Sequence, residues 1–153
     1  MPRPRLFVRA KLPSTRANSS ASRSRWFARL PFLDSCTLVS LMSCIFCKIV
    51  AGEIPSTAVF QDARTYAFAD INAKAPVHIL IVPREHIGSL SEAGVHHGDL
   101  LGHLLWTAAE IARAKGLGNG YRVVINSGPD GGQTVDHLHL HLLGGRPMAW
   151  PPG

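Results

Sequence analysis

Histidine and leucine alternate through six consecutive positions, His137-Leu138-His139-Leu140-His141-Leu142, and no other stretch of the 153 residues restricts the fold so severely. In a strand, successive side chains project to opposite faces. The segment Val135–Leu143 therefore reads as a strand with His137, His139 and His141 lining one face. Leu138, Leu140 and Leu142 pack into a core behind them. Three imidazoles in a row have no packing rationale, because each carries donors and acceptors that must be satisfied when buried. The row is read as functional, with two chemistries open. Neutral imidazole is a common zinc ligand. It is also a good nucleophile toward phosphorus, giving a covalent adduct that water cleaves, while neighbouring histidines donate to phosphoryl oxygens.

The preceding loop favours phosphorus. Ser127-Gly128-Pro129-Asp130-Gly131-Gly132-Gln133-Thr134 offers backbone N–H groups, an amide and a hydroxyl where a phosphate would sit. A glycine loop alone is usually a turn; one that runs directly into a histidine ladder carries more weight.

Upstream, Cys44–Ala51 reads as a short helical or irregular opening closed by Gly52 and Pro55. Thr57–Gln61 and Thr65–Asp70 flank an Asp62-Ala63-Arg64 turn as two strands, and Val77–Val82 (VHILIV) is a nearly continuous apolar strand stopped by Pro83. Gly98–Lys115 has the apolar spacing of a long helix, with Leu100, Leu101, Leu104, Leu105, Ala108, Ala109, Ile111 and Ala112 on a wide stripe. Tyr121–Asn126 is a further strand. An antiparallel run of five strands with one long and one short helix is an α+β domain. Its single small core makes dimerisation a natural reinforcement.

The charge of +6 belongs almost entirely to the first 41 residues. They hold eight of the 16 Lys and Arg and one of the ten acids, Asp34, which makes that segment +7 and the remainder −1. The basic balance thus gives no reason to expect nucleic acid on the folded domain. Residues 1–41 match the composition of a mitochondrial transit peptide. The competing reading takes Met42 as the true start, with a cytoplasmic protein. Residues 42–153 form the domain in either case. The stretch Cys36 to Val50 is broken by Ser40, Ser43 and Lys48, short of the ~20 residues of a membrane span. Cys36, Cys44 and Cys47 are too few and too closely placed for a disulfide framework, and point to a reducing compartment.

The segments DINAKAPVHILIVPREHI, NSGPDGGQTVDHLHLHLLGG and GGRPMAWPPG together resemble the histidine-triad (HIT) family in its Hint branch, and the resemblance runs from Cys44 to Gly153. It implies a HIT-like fold and a purine nucleoside phosphoramidate hydrolase that releases a nucleoside monophosphate through a nucleotidyl-histidine intermediate. His139 would be the nucleophile, His141 a phosphate contact, His137 a supporting member and His78 a further histidine near the ladder. Asn126, Gly132 and Thr134 match phosphate-contacting positions. Asp70 matches the ribose-binding carboxylate, and Ile45, Phe46, Phe68, Ile71 and Leu80 match the walls of the purine pocket. Taken singly, each of these apolar residues reads as core and Asp70 as a turn acid.

Other implications concern metal, assembly and rivals. Some relatives hold structural zinc with a set matching Cys44, Cys47, His86 and His137; many lack metal, and the chemistry requires no cofactor. In similar proteins the C-terminal tail, here carrying Trp150, reaches the partner's site in a homodimer. Asp136 stands where relatives often have an aromatic residue, which alters packing on the face away from the ladder. His96, His97 and His103 read as solvated. The rival functions are a dinucleoside polyphosphate hydrolase, against which the WPPG terminus speaks, and a nucleotide-binding regulator with little turnover.

Overall fold

The computed structural model describes residues 44–152. The basic segment 1–41, with Cys36 and Met42, lies outside the described residues. Helix α1 is Ile45–Ala51, ended by Gly52 in the left-handed conformation (φ 81°), and it opens the domain. Three strands follow, β1 (Ala58–Gln61), β2 (Thr65–Ala69) and β3 (Val77–Pro83). After two short 3-10 turns comes the long helix α2, Gly98–Ala114. Strands β4 (Tyr121–Ile125) and β5 (Leu140–Gly144) complete the elements of the described residues.

The five strands form one sheet in the order β1-β2-β3-β5-β4, with each neighbouring pair antiparallel. Strand β5 is inserted between β3 and β4, which leaves β4 on the edge. This is the expected α+β arrangement, and it decides which side chains share a face. Residues directly opposite in antiparallel strands point the same way.

One face carries α2. Ile79, Ile81, Leu138, Leu140 and Leu142 pack there against Leu100, Leu104, Ala108, Ile111 and Ala112. The other face carries α1, whose Phe46 and Ile49 cluster with Phe68, Leu80 and Val82. Strand β3 is covered on both faces, so it lacks a polar alternation and its VHILIV run is buried nearly throughout. Leu105, assigned to the stripe of the long helix by its spacing, is instead half exposed, and Thr107 takes a fully buried position.

The strand expected over Val135–Leu143 is shorter than its alternation suggests. Pairing begins only at Leu140, because β4 stops at its partner Ile125 and β3 pairs with β5 only from Val77 to Ile81. Before that point the backbone bonds elsewhere: His137 N–H to the Val135 carbonyl and Leu138 N–H to the Ile87 carbonyl. The alternation of side chains nevertheless persists, since Leu138 reaches the same core as Leu140 and Leu142. Asp136 is exposed and joins no core cluster.

Candidate active site and metal centre

On the face opposite α2, the register aligns two rows of side chains. Leu80, His141 and Val124 form one, and His78, Leu143 and Arg122 the next. All six line a cleft of ≈ 530 Å³, together with Phe46, Asp70, Asn126, Gly132, Thr134 and His139. Such a volume lies within the range of small-ligand sites, about 300–1,000 Å³. The loop between β4 and β5 closes one end. Gly128 and Gly132 adopt positive φ there (71° and 77°), where only glycine sits without strain, and Gln133 ties the loop down by donating to the carbonyls of Gly88 and Val135.

The protonation of each histidine follows from partners that can only donate or only accept. The His139 ring places Nδ1 2.7 Å from the His137 carbonyl. A carbonyl only accepts, so the proton resides on Nδ1 and Nε2 keeps its lone pair. His78 Nδ1 accepts the Lys74 backbone N–H at 3.1 Å, which puts the proton of that neutral ring on Nε2. That proton is donated to His141 Nδ1 at 2.9 Å, with Asp70 Oδ2 also near at 3.3 Å. His141 must then carry its own proton on Nε2, and this atom is buried with no hydrogen-bond partner among the described residues. A buried donor left unmatched is costly, and a ligand oxygen would satisfy it.

Electrostatics hold the His78 and His141 rings neutral. Burial, with His139 and His78 beside it, pushes His141 down to about 4. Burial also lowers His78, with the Lys74 cation adding to the effect and Asp70 opposing it. The trio Asp70, His78 and His141 has three potential metal donors in reach of one another. With His78 Nδ1 accepting the Lys74 N–H, a cation on this trio would have to displace the proton on Nε2.

His137 does not join the cleft. It is fully buried, with Nε2 donating to the Pro83 carbonyl at 3.0 Å, which leaves Nδ1 as a lone pair. That nitrogen meets Cys44 Sγ at 3.4 Å, Cys47 Sγ at 3.5 Å and His86 Nδ1 at 3.3 Å, and Cys47 Sγ lies 3.2 Å from His86 Nδ1. Bond lengths of about 2.0–2.3 Å around tetrahedral zinc imply ligand-to-ligand separations of roughly 3.3–3.8 Å. The donor set therefore suits a zinc ion in type and count, and the four separations given lie close to this range. Burial, reinforced by Cys44, pushes the Cys47 thiol up to about 12, so without a cation that sulfur holds its proton.

Of the residues named from sequence, the cleft gathers His78, His139, His141, Phe46, Asp70, Leu80, Asn126, Gly132 and Thr134. Phe68 is buried behind it, 5.7 Å from the Phe46 ring centroid. Ile45, Ile71 and Trp150 are exposed (46%, 104% and 83%) and form no part of its wall. The wall also includes Asn72, Lys74, Arg122, Val124, Leu143 and Pro152, which sequence reasoning missed. For Arg122 and Val124 a signal existed, since both stand at period two from Asn126 on β4. His103 is not solvated as expected: its Nε2 lies 2.7 Å from Asp62 Oδ2 and its ring stacks on Trp106.

Comparison with known proteins places this arrangement among relatives. The HIT domain family matches residues 51–148. The chain is 53% identical to the adenylylsulfatase HINT1 of Arabidopsis thaliana over 111 residues, 71% of this chain and 76% of that protein. It is 54% identical to a 14 kDa zinc-binding protein of Zea mays, covering 71% and 87% of the two. A HIT family hydrolase from Legionella pneumophila superposes with a TM-score of 0.71 at 50% identity, over 72% of this chain and 99% of that one.

Proposed function

The chain belongs to the HIT domain family and is a hydrolase with Hint-like relatives; on that premise we propose that it hydrolyses purine nucleoside phosphoramidates at the P–N bond. The observation that carries this reading is the pairing, in one cleft, of an unprotonated His139 Nε2 with the unmatched Nε2–H of His141. A lone pair and a donor side by side suit attack on phosphorus with stabilisation of the charged oxygens.

The reaction follows from these roles. The nucleoside occupies the side of the cleft formed by Phe46 and Leu80, with its ribose hydroxyls on Asp70. The phosphate lies over β5, held by His141, Asn126, Thr134 and the backbone at Gly132. His139 Nε2 attacks phosphorus, forming the Nε2–P bond as the P–N bond to the leaving amine breaks, and the amine departs with a proton taken from solvent. Water then adds to phosphorus and breaks the Nε2–P bond, which regenerates neutral His139 and releases the nucleoside monophosphate. The His137 carbonyl accepts the His139 Nδ1–H throughout and stabilises the positive charge that develops on the ring.

Zinc at Cys44, Cys47, His86 and His137 belongs to this proposal as a structural ion, supported by the fit of the donor set and by the zinc-binding relatives. When bound, it would pin the His137 ring, and with it the segment whose carbonyl orients His139. A homodimer is also part of the reading, supported by the exposed Leu105 and Trp106 on α2 and Tyr121 on the edge strand β4. Light scattering should then give twice the chain mass, and a monomer at micromolar concentration would remove this element.

The test is steady-state hydrolysis of adenosine 5′-phosphoramidate against a diadenosine polyphosphate. The wild type should prefer the phosphoramidate and yield an acid-labile, alkali-stable nucleotide adduct on quenching. His139→Ala should abolish both turnover and adduct, while His137→Ala only slows the reaction. Full activity in His139→Ala, or a preference for the polyphosphate, rejects the proposal.

A further inference from the structure

We propose that Arg122 forms a leaving-group subsite that selects substrates whose leaving group carries an oxyanion, a carboxylate or a sulfate. The inference rests on the phosphoryl-transfer reading of the same cleft and deepens it by naming the class of leaving group.

The sheet order supplies the geometry. The residues that suit a nucleoside, Phe46, Asp70 and Leu80, sit on α1, at the end of β2 and on β3. The phosphate donors centre on β5 and the loop before it. A substrate laid across the face from β3 over β5 next meets β4, since neighbouring strands are about 4.8 Å apart. The cleft-facing side chains of β4 are Arg122 and Val124, with Asn126 just beyond the strand. Asn126 belongs with the phosphate loop, and its amide lies 3.5 Å from the Gly132 carbonyl.

The direction of displacement points to the same place. In-line transfer sets the leaving group on the side of phosphorus away from the nucleophile. His139 lies two residues before His141, toward the Asn126 end of the face. The opposite end is the row His78, Leu143 and Arg122. A departing group is thus directed toward a guanidinium.

A guanidinium there has consequences that Val124 or Leu143 could not provide. Among the described residues Arg122 makes one side-chain hydrogen bond, Nη2 donating to the Ala149 carbonyl at 2.6 Å. Four of its five N–H donors remain available, and its planar fork matches a carboxylate or sulfate through two parallel bonds. The charge balance of the cleft favours an anion as well: its wall includes Lys74 and Arg122 against the single carboxylate Asp70, and the Lys74 ammonium already donates to Asn72 Oδ1 at 2.9 Å. The alternative role for Arg122 is to anchor the tail through Ala149, beside Pro152 at the cleft wall.

The decisive measurement compares matched substrates. One pair is an adenosine phosphoramidate of an amino acid with a free carboxylate and its neutral carboxamide; adenylyl sulfate forms a third arm. The ratio of kcat/KM for carboxylate over carboxamide should exceed one in the wild type and fall about ten- to a hundredfold in Arg122→Gln. Arg122→Lys, which keeps the charge without the fork, should fall between. A parallel loss on adenylyl sulfate alone would assign the subsite to sulfate, and loss on the carboxylate alone to carboxylates.

Deleting residues 148–153 removes the Ala149 carbonyl and leaves Arg122, so the preference should survive. A carboxylate-to-carboxamide ratio and a rate on adenylyl sulfate that are both unchanged in Arg122→Gln, or a preference abolished by the tail deletion, overturn the proposal. Calorimetric binding of non-hydrolysable 5′-sulfamoyl analogues of the carboxylate and carboxamide pair reads the same preference without turnover. Absence of hydrolysis would therefore reject the phosphoramidase reading, while equal binding of the two analogues would reject the subsite.

Discussion

Replacing His141 by leucine should slow turnover by about 10²- to 10³-fold while leaving the protein as stable as before or slightly more so. The loss of rate is that expected when one well-placed donor to developing charge is removed. The stability follows from one orphaned donor and two contacts. In the wild type, His141 Nε2–H is buried without a partner among the described residues, and such an orphan costs about 1–3 kcal/mol. Leucine removes that cost. It also removes the bond between His78 Nε2 and His141 Nδ1, whose net contribution is about 0.5–1.5 kcal/mol. The His78 proton is not stranded, because Asp70 Oδ2 stands 3.3 Å away to accept it. The sum runs from about 0.5 kcal/mol lost to about 2.5 kcal/mol gained. Urea denaturation at pH 7 gives the stability, and steady-state hydrolysis of the phosphoramidate gives the rate. A variant destabilised by more than about 3 kcal/mol, beyond any balance of these terms, would show that His141 is part of the structural core. A kcat within threefold of the wild type would show that its Nε2–H is not a phosphate donor.

Two further outcomes are expected. Metal analysis of the purified protein should find close to one zinc per chain, and a Cys44→Ser, Cys47→Ser double variant should lose both the metal and thermal stability; a variant that loses neither eliminates the site. Acid should destabilise the fold through His141, held at about 4 against an ordinary 6.5, and through His78, which is also lowered. Between those pH values the unfolded chain binds more protons than the folded one, so stability is complete above about pH 6.5 and is lost as the pH falls toward 4. A denaturation midpoint that stays flat from pH 7 to pH 4 contradicts the assignment.

The HLHLHLL run carries the strand-like alternation and the leucine core face, because a period of two is a property of consecutive residues and needs no partner to be read. The same holds for the apolar strand VHILIV and for the long helix with its apolar stripe. His139 as candidate nucleophile came with the family resemblance. Family-like segments extended the reading to Asp70, Asn126, Gly132 and Thr134. None of these patterns could say where β5 begins. That depends on β4 ending at Ile125, opposite Leu140, a fact of pairing between segments distant in sequence.

Pairing also divided the histidine row. His137 and His139 differ by two positions and look equivalent in sequence, yet the Pro83 carbonyl turns one ring toward Cys44, Cys47 and His86, while the His137 carbonyl turns the other toward the cleft. Arg122 entered the cleft wall for the same reason: β5 inserts between β3 and β4, and the register aligns Arg122 with Leu143 and His78. Sequence determines which groups are present and which face of its own element each one takes. Which tautomer a ring holds and which groups share a cleft depend on backbone carbonyls and strands brought alongside by folding, and these the tertiary structure alone decides.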